Sequence, residues 1–171
     1  MKTLILAIAC TFVLVASSSP SVRAQTAETT AAAAGGTQKI GTTQRRVVRL
    51  PGSPPSSVPL SPAIVAGEFV FASGQIGFDP KTGQMVAGGT AEQAEQVLLN
   101  LKAVLEAAGS SLAHVLKTTV FLADMNDFNA MNLVYRRHFK EDPPARTTVQ
   151  VARLPANARI EIEAVALVKK D

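Results

Sequence analysis

The sequence predicts an α+β domain in which a mixed β-sheet packs two helices against one of its faces. Three observations carry this. Two stretches, 90–108 and 127–139, repeat apolar residues at helical spacing. Runs rich in β-branched and aromatic residues precede, separate and follow them. The resulting order is strands, helix, strand, helix, strand, strand, which short right-handed connections can close into one sheet. At 171 residues the chain has room for one such domain with one core.

The first 24 residues stand apart from that core. Lys2 gives a positive start, Leu4 to Ala16 form an apolar run, and Val22-Arg23-Ala24 precedes Gln25 with small or aliphatic residues at −3 and −1. This is the layout of a cleavable secretory signal, and the run is short for a membrane span. An exported protein, periplasmic or secreted and not held in a membrane after cleavage, is expected. Cys10 is the only cysteine, so a chain cut at Ala24 has no thiol nucleophile and forms no disulfide. The cut also removes Lys2 and Arg23, leaving 15 basic against 13 acidic groups. That balance, with no Trp and one Tyr, argues against a nucleic-acid partner.

Residues 25–43 are small and polar without an apolar period, and read as a flexible linker to a domain over 44–171. Arg45 to Leu50 alternates weakly, as a first strand. Pro51 to Pro62 holds five prolines and predicts an extended loop. Ala63 to Val65 and Glu68 to Ala72 flank Gly67 as a hairpin, and Asp79-Pro-Lys-Thr-Gly83 is a turn. Thr90 with Gln93 suggests a capping box opening the first helix, and Gly109 closes it. Val115 to Leu122 is a strand. The second helix runs from about Asp127 to Phe139 on a stripe of Phe128, Met131, Tyr135, His138 and Phe139. Pro143 and Pro144 then separate it from strands at Arg146 to Arg153 and Arg159 to Val168. Val65, Val70, Val120 and Val149 are expected on the face without helices, where their number predicts self-association.

Candidate chemistry is sparse. His114 and His138 lie 24 apart with no partners at metal-ligand spacing, which argues against a metal site. Ser73-Gly74 follows a strand and, alone, reads as an ordinary turn. Arg146 enters a strand directly after two prolines. Its guanidinium either grips a carboxylate through two parallel bonds or pairs with a nearby surface acid. Glu161 and Glu163 share a face with Val165 and Leu167. They are either partly buried bases or the solvated end of a strand. Asn132 falls in the second helix's apolar stripe, where an amide needs a partner, backbone included.

The joint order of these segments says more than any one of them. FASGQIGFDPKTG (71–83), AEQVLLNLKAVLEAAGSSL (94–112), VLKTTVFLADMNDFNAMNLVY (115–135) and PPARTTVQVARLPANARIEIEAVAL (143–167) resemble the RidA-like reactive intermediate deaminases, also described as endoribonuclease L-PSP. The resemblance runs from about residue 58 to residue 168. It implies a chorismate-mutase-like α+β fold assembled as a homotrimer, with ligand clefts between subunits. It implies hydrolysis of 2-imino acids, such as the tautomer of 2-aminoacrylate, to 2-keto acids and ammonia, without a cofactor. By position, Arg146 matches the residue that binds the substrate carboxylate, and Glu161 the acid that orders a water. Ser73 and Gly74 match the turn lining the pocket, and Asn132 a pocket-side asparagine. Two features depart from the family pattern. Leu60 stands where a tyrosine is usual, and the chain carries the signal segment. A trimer that binds small carboxylates without turnover, and an endoribonuclease, are the competing readings.

Overall fold

The computed structural model describes residues 37–40, 43–51 and 58–170. The expected signal (1–24), Cys10 and most of the expected linker lie outside the described residues. The strands are β1 (Thr37–Ile40), β2 (Thr43–Val48), β3 (Ala63–Ala66), β4 (Phe69–Gln75), β5 (Phe78–Asp79), β6 (Gln84–Met85), β7 (Val115–Leu122), β8 (Ala145–Gln150) and β9 (Ile160–Leu167). The helices are α1 (Thr90–Ala107) and α2 (Phe128–His138). No described helix is long and apolar enough to cross a membrane. A seven-stranded sheet takes the order β1-β2-β3-β4-β9-β7-β8, and β5 pairs with β6 as a separate hairpin. Only β7 and β8 run parallel, so the sheet is mixed. The first strand, β1, lies inside the stretch read as linker and pairs antiparallel with β2.

Alternation along β9 shows how the sequence divides the sheet into two faces. Ile160, Ile162, Ala164 and Ala166 are buried, while Glu161, Glu163, Val165 and Leu167 are turned to the other side. The buried set meets α1, whose Leu98, Leu101 and Leu105 recur at helical spacing and are fully enclosed. Each such leucine contributes about 2 kcal/mol through removal from water. The chain α1–α2–sheet thus forms one core on one face.

Val65, Val70 and Val120 belong to that core and are not on the open face. Of the four valines expected there, only Val149 is exposed. The open face is apolar through other residues. Phe71 pairs with Ile64 on one side and Val165 on the other, and Phe69 pairs with Leu167. Both phenylalanines remain more than 40% exposed, at 44% and 48%. The argument for self-association therefore survives on a different set of side chains.

The start of α1 also differs from expectation by one residue. Gly89, not Thr90, is the N-cap, and its N–H donates to Glu92 Oε2 at 2.7 Å. The Thr90 hydroxyl donates instead to Asp127 at the start of α2. Gln93 points toward the last strand, where its Oε1 accepts from the Arg159 N–H at 2.8 Å. Both side chains that resembled a cap are tertiary links.

Candidate active site

The sequence candidates fall into two groups on opposite faces of the sheet. Arg146 lies on β8, the edge strand, beside Thr118 of β7. Thr118 is fully buried on the helix-covered face. Its hydroxyl is 2.7 Å from the Tyr135 hydroxyl, which anchors the ring of Tyr135 under β8. The Arg146 guanidinium carbon sits 4.6 Å from the centre of that ring and 5.6 Å from the centre of Phe128. One guanidinium nitrogen also approaches Met131 Sδ at 3.8 Å. Burial raises the Tyr135 pKa above its ordinary value, against the opposing effects of Thr118 and the Arg146 charge. The ring stays neutral and offers its face to a cation.

Among the described residues no carboxylate forms an ion pair with Arg146. The surface-pair alternative therefore has no partner here. Thr148, two residues along the same face, has a buried hydroxyl without a hydrogen-bond partner. A buried hydroxyl left this way costs free energy that an incoming polar group can recover. Asn132 is half-buried on α2. It lies one turn from Phe128 and Tyr135, so it belongs to the Arg146 side.

The second group surrounds a bulge in β4. Ala72 pairs with Ala164 and Gln75 with Ile162, so three steps on β4 oppose two on β9. Ser73 and Gly74 occupy the irregular stretch. The Ser73 hydroxyl donates to the Ser61 carbonyl at 2.7 Å, and its N–H donates to the Pro62 carbonyl at 3.0 Å. Gln75 Nε2 folds back onto the Ser73 carbonyl at 2.9 Å. Across the bulge, the half-buried Glu161 lays its carboxylate over Gly74. A Cβ at Gly74 would stand 1.8 Å from Glu161 Oε1, so this approach requires glycine. Burial is the main cause that raises the Glu161 pKa, and the charge of Glu163 adds to it.

Arg146 and Glu161 are not brought together within one chain. Strand β7 lies between their strands, roughly 10 Å of sheet. Glu161 pairs with Phe121 on the open face, and Arg146 projects on the helix side. The two described concavities include neither residue. One, about 310 Å³, lies on the open face between Phe71, Lys117, Thr119, Glu163 and Val165. The other, about 580 Å³, runs along α1 and α2 past Glu95, Leu133 and Arg137. A single chain thus carries two partial sites, and neither of these concavities is lined by Arg146 or Glu161.

The two histidines have local partners. His114 Nδ1 is 2.8 Å from the Ser111 hydroxyl, and His138 Nε2 is 2.9 Å from Glu95. Among the described residues no three His, Cys, Asp or Glu side chains gather as a metal site would need.

Comparison with known proteins accounts for most of the chain. The family model described as endoribonuclease L-PSP matches residues 51–168. A 2-iminobutanoate/2-iminopropanoate deaminase from Homo sapiens is 50% identical over 123 residues, 72% of this chain and 90% of that protein. A RutC family protein from Pyrococcus horikoshii is 52% identical over 122 residues, 71% of this chain and 97% of that protein. Among solved structures, Escherichia coli TdcF with bound serine superposes with a TM-score of 0.67 at 39% identity, covering 72% of this chain and 98% of that one. With a family match over residues 51–168 and about half of the aligned residues shared with the human and Pyrococcus horikoshii proteins, the chain belongs to the endoribonuclease L-PSP (RidA) family.

Proposed function

We propose that this chain hydrolyses reactive 2-imino acids to 2-keto acids and ammonia, in clefts where the Arg146 side of one copy meets the Ser73–Gly74–Glu161 side of the next. The observation that carries this is the pair of partial sites on opposite faces of one sheet. One offers a cation without an acid partner, stacked on Tyr135. The other offers a carboxylate of raised pKa against bare backbone. A closed ring of copies joins the first to the second at every contact, and a homotrimer is the smallest such ring. The 50% identity to the human deaminase supports the same reaction.

The chemistry asks little of the protein, because the imine carbon is already electrophilic. Arg146 holds the substrate carboxylate through its two-pronged guanidinium. Glu161 accepts a proton from water as the water oxygen bonds to the imine carbon and the nitrogen takes up a proton from bulk water. The resulting carbinolamine then expels ammonia. Glu161 returns its proton to the departing nitrogen while the hydroxyl releases its own to bulk water and becomes the keto group. A carboxyl whose pKa is raised by burial is better matched to both transfers than an ordinary one. Positioning of these two groups supplies most of the acceleration.

The test generates imines in place with an amino-acid oxidase and follows their disappearance by semicarbazide trapping. The purified protein should speed the loss, and Arg146→Lys, which keeps the charge but loses the fork, should lower kcat/KM about thirtyfold. Arg146→Ala should lower it further. No acceleration across a panel of imines would replace hydrolysis with carboxylate binding in the same clefts.

We also propose that residues 1–24 direct export. N-terminal sequencing of protein from the periplasm or medium should begin at Gln25. Recovery of the uncut chain from the cytoplasm alone would remove the proposal.

A further inference from the structure

We infer that Glu95 of α1 is a positioning residue for the carboxylate grip: it fixes the rotation of α2 that presents the Tyr135 ring to Arg146. The inference rests on the cleft and reaction proposed above, and it adds to them a residue that touches no substrate. Its starting point is His138, which falls three residues after Tyr135 on the same stripe of α2. An imidazole in an apolar stripe needs a polar partner, and Glu95 supplies one. His138, at 13% side-chain exposure, brings Nε2 to 2.9 Å from Glu95 Oε1. The neighbouring Arg137 donates from Nη2 to Glu95 Oε2 at 2.8 Å. One carboxylate thus gives an oxygen to each of two successive residues.

Successive residues of a helix project about 100° apart. A group that holds both fixes the helix's rotation as well as its distance, which a single bond leaves free. Packing does little of this between the outer faces of α1 and α2. A groove of about 580 Å³ runs between them past Glu95, Leu133 and Arg137, and Leu133 is exposed. Among the described residues, the ion pairs joining α1 to α2 are the two that Glu95 makes. The carboxyl also stays charged for this task. The bond from Arg137 is the largest cause holding its pKa below 4.5, with burial opposing and His138 assisting.

The rotation matters because of what the last turns of α2 carry. Tyr135 lies one turn before Phe139, and their ring centres are 4.5 Å apart. The Phe139 N–H closes the helix on the Tyr135 carbonyl at 3.0 Å. The Tyr135 ring in turn seats the Arg146 guanidinium, whose carbon is 4.6 Å from its centre. A guanidinium drawn to a ring face is aimed by that face. Turning α2 therefore re-aims the fork that meets the substrate carboxylate. Arg146 grips that carboxylate in the bound substrate and in the transition state alike, so a misaimed fork weakens binding and leaves the chemical step alone.

The experiment measures kcat and KM for the alanine-derived imine, generated by an amino-acid oxidase and followed by semicarbazide trapping. It also measures calorimetrically the binding of pyruvate, which needs no turnover. Glu95→Ala should raise KM and the pyruvate Kd about fivefold each, the scale of one ion-pair tie, with kcat kept within about twofold. Glu95→Gln, which keeps an acceptor for Arg137, should fall between. In an Arg146→Lys background there is no fork to aim, so Glu95→Ala should change either quantity by no more than about twofold. A merely structural role would lower kcat, or would carry over undiminished to that background, and either result would overturn the inference. Unchanged KM and Kd in Glu95→Ala would overturn it too. Loss of turnover for every imine, together with a Glu95-dependent pyruvate affinity that Arg146→Lys removes, would keep the inference and overturn hydrolysis. Absence of both turnover and pyruvate binding would overturn both.

Discussion

Glu161 illustrates how a single side chain is tuned by where its strand places it. Alternation along β9 sends it to the open face, and Gly74 lets its carboxylate settle against backbone where water is partly excluded. Burial disfavours the charge, and Glu163, two residues on along the same face, disfavours it further. The pKa is therefore above the ordinary glutamate value of 4.5. Because the charged form must accept the proton from water, kcat/KM should fall as pH drops through this raised pKa, at a higher pH than for an ordinary glutamate. Replacing Glu163→Gln removes the smaller of the two causes, so the acid limb should move to lower pH while staying above the ordinary position. The same shift has a stability consequence of known sign. Between the unfolded and folded pKa the native state holds more protons than the unfolded one, so stability is full below that window and declines as pH rises through it. Glu161→Gln should therefore raise Tm near pH 7 and leave it unchanged near about pH 3. A lower Tm at neutral pH would mean that the carboxylate is held by a favourable partner and is not a strained base.

At the scale of elements, the β4 bulge is what makes a structural strand part of the proposed site. Without the extra step between Ala72 and Gln75, regular pleating would continue past residue 73 and the Gly74 backbone would not be offered to Glu161. Gly74→Ala should separate chemistry from folding. The obstructing atom is the far end of a flexible side chain, so Glu161 can swing aside at small cost in Tm. Its displaced carboxylate should then lower kcat by about tenfold or more, since a shift of an ångström is enough to spoil the attack geometry. Parallel measurements of kcat and thermal unfolding check both halves. The elements themselves were legible in the sequence because their periods are strong. Apolar spacing marked α1 and α2, and the alternation of IEIEAVAL marked both faces of β9. What was not legible depends on partners distant in sequence. The bulge exists only relative to Ile162 and Ala164, some ninety residues from Ser73. The faces of Val65, Val70 and Val120 were misassigned because their strands carry apolar residues on both sides, where period alone does not identify the covered one. Thr148 gave no signal at all. A threonine in a strand is ordinary, and its unpartnered hydroxyl is apparent only once it is buried.

For the whole molecule, the clefts proposed between copies would make assembly part of catalysis. Arg146 and Tyr135 meet on the helix side at the sheet's edge strand, and Glu161 lies on the open face, further along which Phe69 and Phe71 are exposed. Covering that apolar face with another copy would remove it from water and bring the two kinds of surface together. The resemblance named the candidate residues from sequence, but their division between faces required the strand order. This division leads to a test that neither point variant provides alone. Arg146→Ala and Glu161→Gln should each abolish hydrolysis in a pure preparation. Co-refolded in equal amounts as a homotrimer's subunits, three-quarters of the rings should contain both variants. Each such ring has one contact joining an intact Arg146 to an intact Glu161, so about a quarter of the unaltered activity should return. The distribution of subunits is readable by native mass spectrometry on the same sample. Mixed rings that remain inactive would place both residues in the same chain's site and require a rearrangement of β7 to β9 to join them. Activity near a quarter would assign every working site to two subunits, with the carboxylate grip on one and the water-directing acid on the other.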